Sequence, residues 1–171
     1  MYKNYSYSIL NQEAQAIFGL NQIKKYLRVS DDDDDDQIIM DMLESCIQVA
    51  ENFTKISLIN RSIEVAVLDS DYIKLPKLPF LRFVDIRGNG ETILQDAVEL
   101  FGNKLSVKEG IIYDELKVSY LSGYADSRLV PSPLKQAILI HLSNIYDARG
   151  GSLVCPESSL AIYSTYRKME I

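Results

Sequence analysis

Apolar residues recur at helical spacing from Gln37 onward. Ile38, Ile39, Met42, Leu43, Cys46, Val49, Ala50 and Phe53 line one broad face, with Asp41, Glu44, Gln48, Glu51 and Asn52 opposite. The pattern predicts an amphipathic helix of about five turns. Ahead of it, residues 19–29 place Leu20, Ile23, Tyr26 and Leu27 at the spacing of a short helix. The period changes at residue 59. "RSIEVAVL" alternates, with Ile63, Val65 and Val67 on one face. "YIKLPKLPFLRFVDI" is apolar and interrupted by Pro76 and Pro79, which suits edge strands or a turn. Gly88-Asn89-Gly90 between extended segments reads as a hairpin turn, and "NKLSVKEGIIYDELKVSYLSGYA" supplies further short strands.

Helical spacing returns near residue 132. Ser132 is placed to cap, Pro133 suits the first helical position, and Gly150-Gly151 stop the helix. Leu134, Ala137, Ile138, His141, Leu142 and Ile145 share a face that Leu139 and Ile140 widen, so this helix is expected to be buried on more than one side. "PESSLAIYSTYRK" gives a last short helix. The fold class expected is α+β. A helical core of two longer helices and short N- and C-terminal ones carries an inserted antiparallel β region at 59–126, in a single domain spanning 1–171. Residues 1–18, polar and rich in tyrosine, are set apart as a mobile N-terminal segment. Its tyrosines suit either contact with another chain or a partly ordered tail.

Composition narrows the functional classes. The chain is 47% hydrophobic and 25% charged over 171 residues, ordinary for a soluble domain with a real core. No apolar run approaches the ~18 residues of a membrane helix, and the N-terminus lacks the zones of a secretory signal. The net charge of −6 is uneven: residues 1–60 carry −5, 61–126 carry −3, and 127–171 carry +2. Such polarity suits head-to-tail contacts between copies. An acidic chain without a basic face is a poor wrapper of nucleic acid. Cys46 and Cys155 make no disulfide framework, and Cys46 reads as a small buried hydrophobe. His141 is the one histidine. Placed on an apolar helix face, it reads as a core residue, and it excludes any site that needs two histidines. Gly88-Asn89-Gly90 lacks the lysine of a phosphate loop. Ser122-Gly123-Tyr124 lacks the flanking glycines of a nucleophile turn, and Gly123 is expected to permit a tight bend. No catalytic constellation emerges, and no cofactor is implied.

The run Asp31, Asp32, Asp33, Asp34, Asp35 and Asp36 is the feature that local structure does not absorb. Ser30 or an early aspartate is placed to cap the helix that follows, and carboxylates near a helix start gain ~0.3–1 kcal/mol each from its dipole. Six adjacent like charges exceed that need. A calcium loop requires spaced ligands, a turn glycine and a distal glutamate, none of which follows.

The order of these segments resembles the head-tail connector (adaptor, head-completion) proteins of long-tailed double-stranded DNA phages, prophages and gene transfer agents. The resemblance covers roughly residues 19–168. "LNQIKKYLRVSDDDDDDQIIMDMLESCIQVAENFTKISLI" is similar to the family's short helix, acidic cap segment and long helix ending in an aromatic and Thr. "IKLPKLPFLRFVDI" is similar to its proline-punctuated strand. The most specific part is "LKVSYLSGYAD" followed by "VPSPLKQAILIHLSNIYDARGG". The chain departs from the family in having Ile145 where Trp often precedes the helix-ending Tyr, and in its longer aspartate run. The resemblance implies a structural virion protein and no enzyme. Such a protein forms a ring, usually twelve-fold, below the portal. It extends the DNA channel, contacts the portal protein and copies of itself, and receives a tail-side completion protein. Double-stranded DNA passes through without sequence-specific binding. The protein resides in the virion and, during assembly, in the host cytoplasm. In that setting Asp31–Asp36 either line the channel and repel phosphate or are solvated outside it, and Tyr163, Tyr166, Arg167 and Lys168 are candidates for contact with the portal or a neighbouring subunit. Two rival readings stand beside it: a metal-binding module or metal-dependent enzyme using Asp31–Asp36, and a free cytosolic binding module.

Overall fold

The computed structural model describes residues 5–12, 17–30, 35–108, 110, 112–148 and 154–168. The described residues form four α-helices and two antiparallel sheets, the α+β class expected. The chain divides into two compact units. One comprises Met1–Ala14 and Ile59–Ala125, the other Gln15–Leu58 and Asp126–Ile171.

The first unit is all β. Strands β1 (Tyr5–Gln12), β2 (Arg61–Leu68), β3 (Tyr72–Lys74), β4 (Phe80–Gly88), β5 (Glu91–Thr92), β6 (Val98–Phe101), β7 (Lys104–Val107) and β8 (Glu115–Ser122) build two sheets, ordered β1-β2-β8-β4-β5 and β3-β7-β6. The alternation in β2 has the expected consequence: Ile63, Val65 and Val67 are buried. They join Ile73, Leu75, Ile86, Leu105, Leu116, Val118 and Tyr120 in one core drawn from both sheets. Pro76 and Pro79 fall in the segment between β3 and β4, where no ladder N–H is required. Asn89 and Gly90 both take positive φ (49° and 84°), as a two-residue hairpin turn demands. The Asn89 side-chain oxygen accepts the N–H groups of Asp114 and Glu115, tying that turn to the start of β8. At the other end of β8, Gly123 has φ 124°, and a Cβ there would lie 2.3 Å from the Ile59 carbonyl oxygen. The tight bend read from the sequence therefore admits only glycine without rearrangement. β1 lies within the stretch 1–18 and pairs antiparallel with β2 from Tyr5↔Val67 to Gln12↔Arg61.

The second unit is helical: α1 (Leu20–Leu27), α2 (Asp36–Thr54), α3 (Ser132–Asp147) and α4 (Glu157–Tyr166). α3 is buried along Leu134, Ala137, Ile138, Leu139, His141, Leu142 and Ile145, on more than one side as expected. Two details of its ends differ from expectation. Pro131 holds the N-cap position and Ser132 is already helical, so Ser132 caps nothing. The helix also ends at Asp147, before the glycine pair. α2 buries a narrower stripe than its sequence suggests. Ile39, Leu43, Cys46 and Ala50 are buried, while Ile38 and Val49 stay exposed. The apolar set spans more of the circumference than its neighbours cover.

Candidate functional site

The acidic run meets α2 at its start. Asp35 is the N-cap residue. Its carbonyl accepts the Ile39 N–H at 2.9 Å, but its side chain makes no capping hydrogen bond. Asp36 occupies the first helical turn, in the favourable field of the dipole. Its Oδ1 accepts a hydrogen bond from Lys24 Nζ of α1 at 2.6 Å. The lysine side chain is 4% exposed and the aspartate 48%. One member of the run thus compensates a nearly buried ammonium, a role the sequence pattern did not separate from the rest. Asp31–Asp34 lie outside the described residues, so their part in capping or in a cation site stands where the sequence left it.

The C-terminal candidates divide. Tyr163 is fully buried (0% exposed), with its ring 6.3 Å from that of Phe53. In the single chain it thus packs on the core of its own helical unit. Leu160, Tyr163 and Tyr166 are spaced i, i+3, i+6 along α4; the middle one enters the helical core, and burial pushes its phenol pKa upward. Tyr166 is half-buried, and Arg167 and Lys168 are exposed. The Arg167 guanidinium lies over the Phe53 ring at 5.4 Å, and the Lys168 N–H donates to the Thr54 carbonyl at 2.9 Å. The end of α4 is therefore clasped to the end of α2 through one aromatic ring and one backbone bond.

Glu51 is a residue whose role the sequence misassigned. It falls on the polar side of the helical wheel, yet it is 4% exposed. Its Oε1 accepts the Leu58 N–H at 2.7 Å. With Thr54 Oγ1, which donates to the Ala50 carbonyl and accepts the Ile56 N–H, it fixes the turn that leaves α2.

No arrangement suited to catalysis is found among the described residues. No group of three or more His, Cys, Asp or Glu side chains converges there as a metal site would need. His141 and Cys46 are buried in the helical unit, and burial pushes the Cys46 thiol up to about 12, far from a reactive thiolate. An open depression of about 470 Å³ in the β unit is lined by Asp69, Ser70, Asp71, Val107, Lys108, Ile112 and Tyr113. The Lys108 Nζ there is already donated to the Asp96 carbonyl at 2.7 Å. No described helix is long and apolar enough to cross a membrane.

Neither a protein-family model nor a curated protein matches this chain. Its fold is matched by solved structures. A chain from the neck of an empty GTA particle, computed with C6 symmetry, superposes with a TM-score of 0.78 at 18% identity, covering 97% of each chain. A chain from the virion of a native gene transfer agent gives 0.77 at 16% identity over 96% of each. A third, from the neck of a native GTA particle computed with C12 symmetry, gives 0.69 at 18% identity, covering 96% of this chain and 97% of the other. At such identities the likeness is one of fold: this protein shares, across nearly its whole length, the fold of chains found in gene transfer agent necks and virions.

Proposed function

We propose that this protein is a structural virion component of the head-tail connector class. It would form a ring below the portal, extend the DNA channel and offer the surface to which tail-side proteins attach. The observation that carries the reading is the fold match over 96–97% of both chains to neck and virion structures. Both units take part in it. The segment order that resembles connectors and the lack of a convergent catalytic set among the described residues support the same reading. Partners under this reading are the portal protein, a tail-side completion protein and further copies of the chain, twelve-fold in the particle. DNA slides past them. The protein works in the virion after assembly in the host cytoplasm. The test is cryo-electron microscopy of portal-containing particles produced from the surrounding gene cluster. A ring of this chain below the portal is the expected result. Intact particles without it, with the protein left free, would overturn the proposal.

Two finer assignments belong to this reading. The run Asp31–Asp36, of which Asp36 is engaged by Lys24, is proposed to face the channel, where a ring repeats its charge in every subunit and repels the phosphate backbone; the alternative is a run solvated outside the channel. Changing Asp31–Asp35 to Asn while keeping Asp36, whose carboxylate serves Lys24, separates channel charge from fold stability. Altered DNA retention or ejection is expected, and unchanged DNA handling sinks the assignment. Tyr166, Arg167 and Lys168 are proposed as the contact with the portal or a neighbouring subunit. Tyr166→Ser with Lys168→Glu should weaken docking while the helical unit stays folded. Undiminished docking refutes it.

A further inference from the structure

Among the described residues, β1 is an edge strand without the usual safeguards. Natural edges are blunted by lysine, proline, brevity or a covering element. β1 runs for eight residues, YSYSILNQ, with no charge and no proline. No described strand pairs with its outer side. Its one irregularity, a register shift between Ile9 and Asn11, leaves Tyr5–Ile9 in regular pairing. Tyr7 and Ile9 stand opposite Val65 and Ile63, so they extend the core face of the sheet. They are nevertheless 50% and 46% exposed, because the core ends before it reaches them. Ser6 and Ser8 stand opposite Ala66 and Glu64 on the other face.

The opposite side of the same sheet is open too. β4 is paired by the two-residue β5 at Arg87–Gly88, its Ile86 carbonyl accepts the Ile93 N–H at 2.8 Å, and no described strand pairs with the outer side of Phe80–Asp85. Along its open part, Phe80 and Phe83 pack on the core face, while Arg82 and Asp85 stand opposite Leu121 and Ser119 on the other. The strands β1, β2, β8 and β4 alternate in direction. A second copy set edge to edge, with the same face toward the core, therefore brings its β1 antiparallel to this β4. Apolar Tyr7 and Ile9 would then sit beside Phe80 and Phe83, and Ser6 and Ser8 beside Arg82 and Asp85. Such a contact is heterologous, and under rotational symmetry it closes into a ring.

From this match of direction and of both faces, we infer that β1 of one copy pairs with β4 of the next, so that the five-stranded sheets join across subunits. The inference rests on the ring reading above, and its test separates the two. In a Cys155→Ser background, Ser8→Cys is combined with Arg82→Cys in the intact particle. Within one chain, positions 8 and 82 are three inter-strand steps of about 4.8 Å apart, too far for a disulfide, which needs a Cα separation of ~4.4–6.8 Å. Mild oxidation should therefore give a ladder of multimers of this chain, with neither single variant doing so. Independently, Tyr7→Lys with Ile9→Lys places guard charges on half-exposed positions. It should abolish rings while the isolated protein keeps its circular dichroism and melting midpoint. Rings that persist in the lysine variant, with no ladder in the double cysteine variant, overturn the edge contact and leave the ring reading standing. A cross-link from Ser8→Cys to a different protein also overturns it. Wild-type particles imaged without a ring overturn both.

Discussion

At the scale of single residues, the energetics concentrate on charged groups that helix patterning treats as surface. Lys24 is nearly buried, and its ammonium donates to the half-exposed Asp36 carboxylate. Removing one partner of such a pair takes a compensating charge from the other, whereas removing both does not. Asp36→Asn is expected to cost about 1–3 kcal/mol, discounted because the carboxylate is half in water. Adding Lys24→Met to that variant should recover part of the loss, and urea titration of the single and double variants checks it. Glu51 gives a second case. Glu51→Leu leaves the buried Leu58 N–H without its acceptor, at about 1–3 kcal/mol. Glu51→Gln keeps a carbonyl oxygen there and should cost clearly less. Equal losses in the two variants would show that the Leu58 bond is not what Glu51 contributes.

At the scale of elements, the bend after β8 depends on one missing side chain. Gly123→Ala forces a Cβ toward the Ile59 backbone at a φ that alanine rarely adopts. Strain of this kind costs ~1–3 kcal/mol before the clash is counted. We expect a lowered melting midpoint, or a failure to fold, and a wild-type midpoint would disprove the account. This bend was legible in the sequence, as were β2, the Asn89-Gly90 turn and all four helices, because period and turn residues are local signals. β1 was missed: Tyr5, Tyr7 and Ile9 alternate with Ser6 and Ser8, but polarity and terminal position masked the alternation. The inward turn of Tyr163, the burial of Glu51 and the pairing of Lys24 with Asp36 were not legible. Each depends on which neighbouring element covers a given face, and periodicity carries no information about that. The same limit explains Ile38 and Val49, which the pattern assigns to the core and the structure leaves exposed.

At the scale of the whole molecule, both units keep acidic protons in their interiors, and this sets an alkaline limit on stability. Desolvation raises the pKa of Cys46 to about 12 and raises that of Tyr163 in the helical unit. It also raises that of Tyr120 in the β unit, against the lowering effect of its hydrogen bond with Lys77. Each group is neutral in the folded state and ionises more readily when unfolded, near 9.0 for the thiol and 10.0 for the phenols. Above those values the folded chain holds more protons than the unfolded one, so stability falls as pH rises. Their contribution is complete below pH 9.0 and declines through the interval to about 12 for Cys46. The urea midpoint should therefore hold steady from pH 7 to 9 and drop steeply beyond it. Tyr163→Phe tests the attribution. The Tyr163 hydroxyl is buried without a hydrogen-bond partner among the described residues, so its removal should be neutral or stabilising at pH 7. The variant should also show a shallower decline above pH 10. A decline as steep as the wild type's would assign the alkaline limit to other groups.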